Sequence, residues 1–274
     1  LGEDVTRLDF TGGNQLVTIE VVIPHPHGNR IASELTISVP ATASLDVEAV
    51  SADIRVYNVA GEIKASTVSG DLTIENAANA VRANSVSGDI DISDRGPSVT
   101  AKTTSGEIEI SGEIGAIQAD SVSGSVDVSG TGQRFSSETI SGDITVAGAI
   151  TELKAKTISG DIEVDKALQQ AEANTVSGDI DFDAGQLVSG GFSSESGDVE
   201  FDGEMAEMGK LRAFSRSGSL VIRIPENPTT AVEARTLSGS IRNAFGPAPQ
   251  KGIGPGRMLQ FGPAEAMASV SLET

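Results

Sequence analysis

The chain has no cysteine and no tryptophan, a single tyrosine, two histidines and only 3% aromatic residues. Without cysteine there is neither a disulfide framework nor a thiolate metal site, and the redox compartment is left open. With so few rings the core has to be built from Val, Ile, Leu and Ala in thin layers, so a wide globular interior is not expected. Positive charge is scarce too: 19 Lys and Arg stand against 39 Asp and Glu, a formal charge of -20 in 274 residues, with a pI near 4.3. A nucleic-acid partner needs a basic stripe to meet its phosphates, which argues against that class, and the same repulsion disfavours anionic membrane surfaces. No apolar run is long enough to span a bilayer. The first residue is Leu1 rather than Met, which fits a processed secretory protein or a trimmed chain.

Glycine is plentiful instead, with 31 residues, and much of it recurs on a fixed beat. From Glu62 to Leu187 a block of 18 residues is written seven times without insertion, starting EIKASTVSGDLTIENAAN and AVRANSVSGDIDISDRGP. Its Ser-Gly pair falls at Ser69, Ser87, Ser105, Ser123, Ser141, Ser159 and Ser177. A constant period of this size marks a solenoid, in which one repeat cannot bury its own apolar face and must stack on its neighbours. Length then counts coils rather than domains, and about eleven coils at a strand spacing of about 4.8 Å make a rod on the order of 50 Å long.

Numbered from Glu62, positions 2, 4 and 6 of a block hold Ile63, Ala65 and Thr67, then Val81, Ala83 and Ser85, an alternation that places them on one face of a strand. Positions 11 and 13 do the same with Leu72 and Ile74, Ile90 and Ile92, Ile162 and Val164. The expected fold is all-β: a single-stranded parallel β-helix (β-solenoid) with 18-residue coils, taken as right-handed, with an N-terminal β cap. The glycine of Ser-Gly-Asp, between the two strands, is expected to supply the positive φ of a sharp corner. The Thr or Ser of position 6 and the Ser of position 8 share the parity of the core, so a column of hydroxyls satisfying one another or the backbone is expected. Position 7, with Val68, Val86, Val122, Ile140, Ile158 and Val176, has the opposite parity. It is expected to turn into the corner, since an outward stripe would mark a partner or self-association surface.

The register divides the chain into an N-terminal β capping segment (residues 1–43), the solenoid repeats (44–242) and a Gly/Pro-rich loop with a final partial coil (243–274). In the first segment LVTIEVVI (Leu16 to Ile23) and ELTISV (Glu34 to Val39) alternate as strands of a hairpin expected to cover the first coil's open edge. The loop between them carries His25 and His27; a His-x-His pair can offer two metal ligands, but no third ligand of matching spacing follows, so a solvated loop is expected. The first coil, Ser44 to Gly61, is degenerate, with Ala52 in the glycine place. Beyond Leu187 the Ser-Gly pair arrives late, at Ser196, Ser217 and Ser238. The extra residues, GEMAEMGK (Gly203 to Lys210) among them, are expected to bulge at a turn and leave the coil intact. FGPAPQKGIGPGRMLQFGPAEA then reads as a long loop, and SVSLET re-enters the pattern as a coil cut short.

Positions 10, 12 and 14 point outward from the second strand and are heavily acidic, with no Lys or Arg from Asp71 to Asp202, while the first strand's outer positions mix Lys64, Arg82, Lys102, Lys154 and Lys156 with Glu, Gln and Ser. Two readings of this acidic face stay open. In one it is a solvated wall that keeps a β-rich rod soluble. In the other, Asp161, Glu163, Asp165, Asp179, Asp181, Asp183, Asp198, Glu200 and Asp202 hold Ca²⁺ weakly, because the cation relieves repulsion between carboxylates. No other cofactor is expected. A polysaccharide lyase or hydrolase is the alternative function, but a catalytic centre should break the repeat, and only the region around Arg212, Arg216, Arg223 and Arg235 is locally unusual. A catalytic serine would find no histidine in the repeats, and Tyr57 is the sole tyrosine available as a sugar platform. A polymer-forming scaffold is a third reading.

The signature Ser-Gly-Asp-[Ile/Leu]-x-[Ile/Val], with Ala-x-Thr-Val upstream, resembles the bacterial adhesin-like β-solenoid family DUF4097. The resemblance extends to a capping sheet ending in ISVP (Ile37 to Pro40) and a Gly-rich segment around FGPAPQKGIG, and departs from the pattern at Ala52, Glu107, Ser125, Ser219 and Ser240. It implies an exported or membrane-anchored protein facing the cell envelope, periplasm or surface; with the unbroken repeat, the expected function is a non-catalytic, extracytoplasmic structural or binding protein with a protein or polysaccharide partner there. No nucleic acid and no direct membrane span are expected, and the chain should be a monomer or weakly self-associating.

Overall fold

The computed structural model describes residues 7–12, 17–22, 35–167, 169–225, 229–243, 247–252 and 254–262. The chain forms two compact units, Leu1–Val39 and Pro40–Thr274. In the first, strands Arg7–Gly12 and Val17–Val22 pair antiparallel, with Arg7 opposite Val22 and Gly12 opposite Val17. The strand expected over Leu16 to Ile23 is therefore present, but its partner lies upstream. The described residues 35–39 of the second expected strand are irregular, and the loop with His25 and His27 lies outside the described residues.

The second unit is the solenoid. Ile54, Leu72, Ile90, Ile108, Val126, Ile144, Ile162, Ile180, Val199, Leu220 and Ile241 pair successively in parallel, one per coil, which counts eleven coils. Position 2 makes a second such file through Ile63, Val81, Val99, Ile117, Phe135 and Leu153. Both files are buried, as are the alanines of position 4, so each coil adds one thin apolar layer. Where the layer changes, it changes in compensation: Gly190 takes position 2 while Phe192 takes position 4. A Cβ on Gly190 would lie 3.1 Å from the Phe192 ring, and that ring packs on Phe182 and Phe201 with centroids 4.6 and 5.7 Å away.

The Ser-Gly-Asp glycine is required for a different reason from the expected one. Of these glycines Gly178 alone has positive φ among the described residues; most left-handed residues of the coils fall at position 15 instead, as Asn58, Asn76, Gly112, Gly130, Gly148 and Lys166 do. At position 9 the backbones lie almost on top of each other: a Cβ on Gly88 would sit 2.0 Å from the Gly70 carbonyl oxygen, and one on Gly142 2.2 Å from that of Gly124. The strands of the coil that carries Ala52 pair, among the described residues, with the coil that follows.

The hydroxyl column is confined to position 6. Thr157 and Thr175 are buried and donate to the carbonyls of Gly142 and Gly160 in the preceding coil, at 3.2 and 3.1 Å; Ser215 and Thr236 do the same to Gly197 and Gly218. Ser85 and Ser121 hold the same position with their hydroxyls unpartnered. The serines of position 8, such as Ser69 and Ser159, are exposed rather than part of that column, because the chain has already begun to turn.

The 21-residue spacing is absorbed as expected. Leu187 faces Met205 and Ser189 faces Lys210, so residues 206–209 stand opposite Val188 alone and the ladder resumes on both sides. The Gly/Pro-rich segment is not one long loop. Strand Arg257–Phe261 runs antiparallel along Ala231–Ser238, with Thr236 opposite Arg257 and Val232 opposite Phe261, and Gln250–Lys251 pairs on its other side. Leu259, in the middle of Arg257–Phe261, is buried. The antiparallel strand therefore covers the edge of the last coil's first strand, Ala231–Ser238. The SVSLET tail lies outside the described residues.

Replacing Gly142 by Ala should destabilise the chain by about 3 kcal/mol, since the obstructing atoms are backbone and cannot step aside. Ala52→Gly should change thermal stability by less than about 1 kcal/mol. Thermal or denaturant unfolding of the two variants checks the contrast.

Candidate functional site

The outer face of the second strand is built by the same joint. Each Asp of Ser-Gly-Asp turns one carboxylate oxygen along the stack to accept the backbone N–H of the equivalent residue in the next coil: Asp161 to Asp179 N at 2.7 Å, Asp179 to Asp198 N at 2.7 Å, Asp198 to Ser219 N at 2.7 Å, and likewise from Asp53 through Asp71 and Asp89 to Glu107. This structural use was missed in the sequence, though the choice of Asp over Glu at position 10 was a signal. Glu107, one methylene longer, reaches sideways to Asp127 instead; that contact, with burial and nearby carboxylates, raises its pKa. Ser219 and Ser240 end the file, their hydroxyls 3.3 Å apart.

The nine carboxylates picked out for calcium occupy three consecutive coils. Glu163 stands beside Asp181 and Asp165 beside Asp183; Asp181 stands in turn beside Glu200, and Asp183 beside Asp202. Asp161, Asp179 and Asp198 each have one oxygen committed to an amide. Asp181, at the centre, has its pKa raised by burial first and then by Glu200, Glu163 and Asp183, with Arg223 opposing. Among the described residues no three His, Cys, Asp or Glu side chains are grouped so as to hold a metal ion. The wall ends at Arg223, which pairs with Glu200. The other unusual arginines are dispersed over the surface: Arg212 lies 3.8 Å from Glu233 and Arg216 2.6 Å from Glu195.

A second surface feature corrects the sequence reading of position 7. Val68, Val86, Val122, Ile140, Ile158 and Val176 do not turn inward; each keeps 43% to 49% of its surface exposed, and Val50 in the first coil keeps 70%. Val122 and Val176 lie within their strands, whereas Val68, Val86, Ile140 and Ile158 stand in the bend just past theirs, so the chain turns at position 7 while the side chain still faces outward. Thr104 interrupts the file, and Glu195 and Arg216, joined as an ion pair, terminate it. On one side lies the position-5 file, where Lys102 meets Asp120 at 2.9 Å and Lys156 meets Glu138 at 3.9 Å; on the other lie the exposed serines and then the acidic wall.

A carboxyl whose folded pKa is raised binds protons more readily in the folded chain, so stability should increase as pH falls from neutral toward the carboxylate range. Asp181 and Glu107 contribute in this sense, as does Asp94, whose pKa burial raises. Asp181→Asn should therefore melt higher than wild type at neutral pH and lose that advantage in acid. Asp161→Ala should cost about 1 to 2 kcal/mol by leaving the Asp179 amide without its acceptor, whereas Asp161→Asn keeps a carbonyl there and costs less. Melting curves across pH check both.

Against known proteins, the model of the family described as Toastrack DUF4097 matches residues 29–113 and 98–252. No curated protein and no solved structure matches the chain. The family match covers most of the chain, including the greater part of the solenoid with its Ser-Gly-Asp joints and acidic wall: the protein belongs to the Toastrack DUF4097 family.

Proposed function

We propose that this chain is a non-catalytic, adhesin-like binding rod that works outside the cytoplasm, its acidic wall meeting a cationic partner of the envelope or surface. The observation that supports this most directly is the carboxylate wall itself, held at strand spacing by the Asp-to-amide ladder and continued over successive coils. Identical weak sites at a fixed interval suit multivalent attachment, in which linked contacts add up to avidity without one dominant centre. A lyase or hydrolase would concentrate unique groups at one coil. Here the arginines of the late coils are spread among ion pairs with different glutamates. Weak, diffuse Ca²⁺ association along the same carboxylates belongs to this reading as competition for the wall.

Binding of the full chain to a lysine-rich protein surface, to an amine-bearing polysaccharide and to a neutral glycan should separate the cases. Attachment to a cationic partner should weaken as salt rises, weaken again in the variant Glu163→Gln, Asp181→Asn, Asp183→Asn, and be reduced by millimolar Ca²⁺. Binding indifferent to salt and to that variant, or release of sugar fragments from any of the glycans, would overturn the reading.

A further inference from the structure

The exposed Val/Ile file is the one surface feature that the acidic wall does not explain. It spans eight coils from Val50 to Val176, on the order of 35 Å at strand spacing, and is apolar at every coil but that of Thr104. A row of β-branched side chains at this interval is matched by a surface with the same interval, and this chain carries one. We infer that the file is the centre of a parallel, side-by-side homodimer with its two-fold axis along the solenoid.

The charges beside the file set the polarity. Along each coil the order is a charge-balanced strand, on which Lys64, Arg82 and Lys102 are already paired with Asp46, Glu62 and Asp120 of the same chain, then position 7, then the exposed serines and the acidic wall. If two copies meet with their axes parallel, the two-fold reverses the order across the interface. The acidic side of each then faces the charge-balanced side of the other instead of a second acidic wall, and every coil stands opposite its own equivalent. If they meet antiparallel, the order is preserved and the acidic wall of one copy faces that of the other. In a chain of net charge -20 that arrangement is strongly disfavoured. A two-fold contact also closes on itself, so association stops at the dimer. The Glu195–Arg216 pair bounds the patch at its upper end, where two further rows of Val would otherwise have extended it.

The test uses the full chain. Light scattering during size exclusion should give twice the 28.0 kDa of one copy. The variant Val122→Thr, Ile140→Thr, Ile158→Thr, Val176→Thr, which repeats the natural choice of Thr104 in four further coils, should weaken association by about tenfold or more while melting near the wild-type temperature. Because the chain has no cysteine of its own, Val68→Cys alone should oxidise to a disulfide-linked dimer, and so should Ile158→Cys alone. A wild-type monomer, a four-threonine variant that still dimerises, or covalent dimers that appear only when Val68→Cys is mixed with Ile158→Cys would each overturn the inference.

Discussion

The solenoid depends on how closely one backbone can be laid over the next at the Ser-Gly-Asp corner. A carbonyl about 2 Å from where a Cβ would stand leaves room for glycine alone, as at Gly88 over Gly70. That approach brings the other members of the motif within reach of their partners. The Thr three residues before the glycine donates to the glycine carbonyl below, as Thr175 does to Gly160, and the Asp after it accepts the amide above, as Asp161 does from Asp179. Three side-chain choices thus act as one joint, repeated up the stack. A defect at any of them leaves a buried hydroxyl or an amide without its partner, which is the costly half of hydrogen-bond energetics.

The joint also decides how charge is spent. Position-10 carboxylates are partly consumed in holding coils together, so the face offered to solvent is carried chiefly by positions 12 and 14. There Asp181 sits among Glu163, Asp183 and Glu200, with its pKa raised. The first strand's outer face pairs opposite charges between adjacent coils instead, as Lys102 does with Asp120. Between these two electrical regimes runs the apolar file. It lies at the bend that ends the first strand, where the position-7 carbonyl still accepts from the next coil, as Ile140 O does from Ser159 N.

Much of this was legible in the residues. A period of 18 over seven blocks specifies a parallel register, since any slip would move apolar positions 2, 4, 11 and 13 out of the core. The strand at Val17–Val22 and the bulge before Lys210 were legible for the same reason, alternation and a broken count. Three features were not. The need for glycine was inferred from local dihedral freedom when it arises from a neighbour 18 residues away. Arg257–Phe261 was hidden by flanking Gly and Pro, because its pairing partner, not its composition, makes it a strand. The direction of position 7 was ambiguous because parity says which side of a strand a residue takes, not where the strand ends.

By itself, then, the sequence determined the repeat, the register, the membership of the core files and the sign of the outer wall, because each follows from periodicity and charge along one chain. Only the tertiary structure decided that the position-9 glycine is a matter of contact, that position-10 carboxylates cap the amides of the next coil, that an antiparallel strand lies along the last coil's first strand, and that the Val/Ile file stays open to solvent. Those are relations between residues one coil apart. They come into being when coils stack, and no single block contains them.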